Sequence, residues 1–169
     1  MYTQLKNHIV FLLFVAIVPF TVTAQTETSQ SIVKVSGEVL TPFNITLASL
    51  KEYKQTTVIR KDKDGKDHTY LGVEVFELLK KAGATLNKDL RGENLTKYML
   101  AEASDGYQVI FALAELDGGF ADRKIILTTN VDGHPLPANE GPFRIIVSDE
   151  KLPARCIRQL TSLAVKFAN

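Results

Sequence analysis

Two Asp-Gly steps, Asp64-Gly65 in KDKDGKD and Asp105-Gly106 in ASDGY, set the strongest limit on how this chain can fold. Each lies between two runs of strand-forming residues. TTVIR (56–60) and HTYLGV (68–73) flank the first, LTKYMLAEA (95–103) and YQVIFALA (107–114) the second. An Asp-Gly pair supplies the positive φ angles that a tight hairpin needs, so both places predict antiparallel neighbours. IVKVSGEV (32–39), KIILTTN (124–130), FRIIV (143–147) and SLAVKF (162–167) add further strand candidates. Helical spacing is confined to two stretches. GVEVFELLKKAG (72–83) places Val75, Phe76, Leu79 and Ala82 on one face, Lys80 and Lys81 in the last turn and Gly83 as a stop. ITLASLKEY (45–53) is a short second helix with Thr46 as N-cap. Strands outnumber helices and do not alternate with them, which predicts an α+β fold with antiparallel or mixed sheets.

The first residues stand apart from this pattern. Lys6 is a short positive region, Ile9 to Val22 an apolar core of 14 residues, and Val22-Thr23-Ala24 a small-residue cleavage site. The core is shorter than the roughly 20 residues a membrane span needs. Residues 1–24 therefore read as a leader removed on export to a periplasmic or extracellular compartment, 25–30 as a disordered polar stretch, and 31–169 as one domain. An uncleaved anchor is the alternative, although Pro19 and Thr21 weaken a helix there. Loss of Lys6 turns 20 basic against 19 acidic residues into a neutral balance. Nucleic acid and anionic membranes are held through clustered Lys and Arg, so neither is expected as a partner, and stable membrane insertion is not expected.

Cys156 is the only cysteine, which excludes an internal disulfide, a multi-cysteine metal site and a CxxC redox motif. A buried, inert thiol is the expectation for it, a sensitive thiol activated by Arg155 and Arg158 the alternative. His8 leaves with the leader, and nothing in the spacing brings His68 or His134 to Cys156 as a nucleophile pair. The acidic turn Asp62 to Asp67 resembles a calcium loop only superficially. With Gly65 at the sixth position, Arg60 and Leu71 would fall where the two key carboxylates belong. A solvated hairpin tip is expected instead.

Two loops carry the remaining candidates. Ser104-Asp105-Gly106-Tyr107 is a turn that could also offer a carboxylate, a phenol and free N–H groups to a polar heterocycle or anion. In DGHPLPANEGPFRIIV (132–147), prolines and glycines shape a loop around Arg144. The guanidinium fork of Arg144 suits phosphate or carboxylate, and it suits equally an internal tie to loop carbonyls or to Glu140.

In order along the chain, VSGEVLTPFNITLASL, TYLGVEVFELLKKAGA, EASDGYQVIFALAEL, IILTTNVDGHPLPANEGPFRIIV and ARCIRQLTSLAV resemble the molybdopterin-binding domain of the sulfite oxidase family, from about Val35 to Val165. The resemblance implies a sulfite-oxidase-like α+β fold and a site at Asp105, Tyr107, His134 and Arg144 for a pterin-like or other small anionic ligand. In that family the pterin carries molybdenum, and a cysteine shortly after the strand matching TTVIR supplies a further sulfur. Here the chain reads Arg60-Lys61-Asp62, and the long insertion that covers the cofactor is missing. Thr129 stands where the oxidases place a tyrosine near the metal. The expectation is a non-catalytic binding module with no metal residues; the alternative is an active molybdenum oxidoreductase acting on a small oxyanion or sulfoxide.

Overall fold

The computed structural model describes residues 31–168, so the expected leader and the polar stretch 25–30 lie outside the described residues. Among the described residues ten strands form two five-stranded sheets. They are β1 (Ile32–Gly37), β2 (Phe43–Thr46), β3 (Thr56–Lys61), β4 (Asp67–Glu74), β5 (Lys97–Ala103), β6 (Gln108–Ala112), β7 (Ile125–Val131), β8 (His134–Pro135), β9 (Arg144–Val147) and β10 (Leu160–Phe167). The first sheet runs β2-β1-β10-β5-β6; the second runs β3-β4-β7-β8, with β9 also paired to β7. Every pairing is antiparallel except β1 with β10. The fold is therefore α+β with mixed sheets, as the spacing of strand signals predicts.

Both Asp-Gly hairpins form, between β3 and β4 and between β5 and β6. Along β5 the residues Lys97, Met99, Ala101 and Ala103 are buried and their neighbours only half-buried, the period-two pattern of a sheet with one covered face. Among the described residues three α-helices accompany the strands: α1 (Leu47–Leu50), α2 (Val75–Ala82) and α3 (Leu113–Leu116). Thr46 caps α1 by accepting the Ser49 N–H at 3.0 Å. In α2 the buried residues are Val75, Leu78, Leu79 and Ala82, while Phe76 is only half-buried. Burying a side chain of the size of Leu78 or Leu79 contributes about 2 kcal/mol, which is what holds so short a helix between β1 of one sheet and β4 and β7 of the other. Gly83 ends it in the left-handed conformation, φ 73°.

Three local expectations need correction. The run 107–114 is not one strand: β6 stops at Ala112, because Leu113 and Leu116, three apart, bury together as a helical turn, and Glu115 accepts the Ala112 N–H at 2.9 Å. The first strand ends at Gly37 rather than Val39. Residues 43–46 form an additional strand on β1, for which the short sequence FNIT carries little pattern. One apolar core joins the two sheets, with Val33, Val35, Phe111, Phe143, Ile145 and Leu163 among its buried members. Among the described residues no helix is long and apolar enough to cross a membrane.

Candidate functional site

Arg144 opens β9 opposite Thr128 of β7, and Phe143 before it is fully buried. With its backbone fixed by the sheet and the core, the side chain is itself 2% exposed. One terminal nitrogen donates to Glu140 at 2.6 Å and to the Tyr70 hydroxyl at 3.1 Å, and stands 3.8 Å from Asp62. The Tyr70 hydroxyl donates onward to Asp62, which also pairs with buried Arg60. Arg158 pairs with the other oxygen of Glu140, its nitrogen 2.9 Å away. The result is a chain of three guanidiniums, Arg60, Arg144 and Arg158, around two carboxylates, Asp62 and Glu140. Burial pushes the Tyr70 phenol far above its ordinary value, with the bond to Asp62 adding to the shift, so it stays a donor at any physiological pH. The Nε atoms of Arg60 and Arg144 are buried with no hydrogen-bond partner among the described residues.

Gln159 joins this chain to the Asp105-Gly106 hairpin. Its backbone is left-handed, φ 48°. Its N–H donates to Glu140 O at 2.9 Å, its side-chain amide to Ala138 O at 3.1 Å, and its carbonyl accepts the Ser104 N–H at 3.0 Å. The 137–142 loop and the SDGY turn are thereby held side by side. Two depressions open around them, both bordered by Lys63, Arg144, Pro153 and Arg158. One, of about 260 Å³, includes Asp105, Tyr107 and Cys156. The other, of about 300 Å³, includes Asp62, Asp64, His68, Tyr70, Asp132 and Glu140.

Of the residues singled out from the sequence, Asp105, Tyr107 and Arg144 thus border one cavity, whereas exposed His134 on β8 borders neither. The Tyr107 ring is half-exposed, and its hydroxyl donates to Ala154 O at 3.0 Å. Asp105 accepts the Tyr107 N–H at 2.9 Å, the turn role expected of it. Thr129 faces two other depressions, with Lys51 and Asn130, and is not brought to Arg144. The turn 62–67 is a hairpin tip, but not a fully solvated one, because Asp62 is drawn in to Arg60 and Tyr70.

His68 spans the rim of the larger cavity. Its Nδ1 lies 2.6 Å from Asp132 and its Nε2 3.0 Å from Asp64, so only the imidazolium can donate to both carboxylates. The bond to Asp132, then that to Asp64, hold its pKa above the ordinary 6.5. Asp64 is held below 3.8 by the Lys66 N–H and then by His68; Asp132 is held below 3.8 by the Thr69 N–H and then by His68. Lys66 and His134 are the other charges near this group. A raised histidine contributes stability fully below its unfolded pKa and loses it as pH rises through the folded value. The lowered carboxylates contribute above their unfolded pKa and lose it as pH falls through the folded values. The clamp is therefore strongest between pH 3.8 and 6.5. Thermal midpoints should fall on going from pH 6 toward 8 in the parent, and His68→Gln should flatten that slope; an unchanged slope would refute the clamp.

Cys156 is 4% exposed, and its Sγ accepts the Val147 N–H at 3.4 Å. Burial pushes its thiol up; the Val147 N–H, then Arg60 and Arg144, oppose the shift. Arg155 and Arg158, the activators considered from sequence, are not those that act: Arg155 turns instead to Glu150 and Glu115. Thiol titration should label Cys156 slowly until denaturant is added. Labelling at the rate of a free thiol in the native protein would contradict its placement.

A solved structure shares this architecture. A chain of the sulfane dehydrogenase SoxCD from Paracoccus pantotrophus superposes with a TM-score of 0.62 and 16% identity, over 79% of this chain and 37% of that one. The fold is sulfite-oxidase-like. At this identity the likeness concerns the fold alone, and the chain spans little more than a third of the length of that protein. No family model matches the sequence, and no curated protein matches it. Within the sulfite-oxidase-like fold, the candidate groups that the sequence did not single out for this site are Lys63, His68, Arg158 and Gln159. Three are ordinary surface residues in loops, and only the packing of the β3–β4 hairpin against the segment before β10 gives them a common place.

Proposed function

We propose that this chain is an exported binding domain that uses its sulfite-oxidase-like fold to hold a small anionic or pterin-like ligand at the smaller of the two cavities, without oxidoreductase chemistry. The observation that carries the reading is the charge of the cavity floor. Around the smaller cavity Lys63, Arg144 and Arg158 face a single bordering carboxylate, Asp105. Excess positive charge in a concave, partly desolvated site favours an anion. The half-exposed ring of Tyr107 offers a face for stacking a heterocycle.

The residues present do not fit a molybdenum centre. A metal-binding sulfur must be a thiolate, and burial acts on Cys156 in the opposite direction. β3 passes through Ile59-Arg60-Lys61 into its hairpin without a cysteine. Among the described residues no group of three or more His, Cys, Asp or Glu is arranged around a common point. The test is purification from the exported compartment of the native host, followed by intact mass, molybdenum analysis and identification of released small molecules. A chain beginning at Gln25, free of stoichiometric molybdenum and carrying or binding an anion, is expected. Stoichiometric molybdenum, with activity lost on its removal, would replace this reading by that of an active oxidoreductase on a small oxyanion or sulfoxide.

A further inference from the structure

We propose that Lys63 and Arg158, rather than Arg144, contact the ligand, and that the group they take is a doubly charged, phosphate-type oxyanion. This deepens the anion-pocket reading and rests on it. Arg144 is almost wholly buried, and one of its terminal nitrogens is already engaged by Glu140 and Tyr70. It sets the shape and charge of the floor and acts as a positioning residue.

Lys63 and Arg158 are placed differently. The hairpin turn is closed by the Gly65 N–H donating to Asp62 O at 3.0 Å, which leaves Lys63 at the first corner of the turn, beside a residue whose side chain points inward. Lys63 is exposed and has no ion pair among the described residues. Arg158 gives one nitrogen to Glu140, and its side chain is 45% exposed; the rest of its fork meets no acceptor among the described residues. The two cations come from separate elements and border the same two cavities.

Charge decides between those cavities. The larger carries four carboxylates on its wall, whereas the smaller has Asp105 alone, already accepting the Tyr107 N–H. An anion is therefore favoured in the smaller one. Three cationic side chains, Lys63, Arg144 and Arg158, against one bordering carboxylate, Asp105, match a dianion better than a monoanion.

Calorimetric titration of the mature chain at low ionic strength, where such contacts are least screened, tests the assignment. Inorganic phosphate and guanosine 5′-monophosphate are the probes, the second presenting an amino-pyrimidinone edge like that of a pterin. Saturable binding of phosphate is expected, with Lys63→Gln and Arg158→Gln each weakening it by about tenfold or more. Lys88→Gln, at an exposed site that borders neither cavity, should leave it unchanged. Thermal midpoints of all three variants separate loss of contact from loss of fold. Tighter binding of the nucleotide assigns the phosphate to a larger ligand, and equal binding assigns it to the free anion. Absence of phosphate and nucleotide binding in the parent would sink the anion pocket itself. Binding that survives Lys63→Gln at full strength would overturn this assignment and leave the pocket standing.

Discussion

Arg144→Ala is expected to lower folding stability by about 3–5 kcal/mol, the usual cost of removing one partner from a buried ion pair. The substitution deletes the donor to Glu140 and Tyr70 and leaves the carboxylates of Glu140 and Asp62 with less compensation in a site of low solvent access. It also empties the space of the largest fully buried side chain in the domain. Arg144→Lys would keep the charge but lose the fork that reaches two acceptors, so a smaller loss is expected. Urea midpoints measure both. If Arg144→Ala shifts the midpoint by no more than a surface substitution does, the guanidinium is not the tie between the 137–142 loop and the β3–β4 hairpin. Any ligand titration of this variant belongs well below its lowered unfolding temperature, so that a displaced loop is not read as a lost contact.

Replacing Gly37 by Ala should be of similar severity, about 4 kcal/mol, for a different reason. Gly37 has φ 91°, a conformation that costs any residue with a Cβ. It is also the register partner of Val165 where β1 meets β10, the one parallel pairing of the fold. A Cβ built there overlaps the Val165 carbonyl oxygen and lies 2.8 Å from its nitrogen, and these are backbone atoms of a central strand that cannot move aside. The same carbonyl accepts the Glu38 N–H at 2.9 Å, so a shift would break that bond as well. A fall in thermal midpoint of many degrees, with faster hydrogen exchange across β1 and β10, is the expected result. Gly65→Ala is the comparison. Gly65 also has positive φ, 78°, but a Cβ there meets nothing, so only the conformational cost remains.

The local elements were legible because their causes are local. Asp64-Gly65 and Asp105-Gly106 specify turn geometry within four residues, and the hairpins follow. The apolar spacing of 72–83 and the stop at Gly83 specify α2 in the same way. Where the fold departs from the sequence pattern, competing signals overlap. Leu113 and Leu116 continue a β-rich run in composition while their spacing already belongs to a helical turn. Phe76 and Leu78 sit on either side of the α2 stripe, and which of them is buried depends on the sheet beneath.

The sequence by itself determined the α+β class, the two hairpins, the main helix, the likeness in motif order that the fold then matched, and the scarcity of thiols for metal or disulfide chemistry. It also placed Arg144 where a shaped loop meets a strand, without deciding what the guanidinium meets. That decision belongs to tertiary structure. Arg144 is separated from Tyr70 by 74 positions, and Ser104 from Gln159 by 55, so no periodicity or motif connects them. The parallel pairing of β1 with β10 is equally invisible, since its register is set by burial of Val33, Val35, Leu163 and Val165 on the covered face of the sheet rather than by a turn. Charge pairing works through space: Glu140 and Asp62 draw the arginines inward, and Lys63 and Arg158 are left at the cavity rim only because the fold brings a hairpin and the approach to β10 to the same edge.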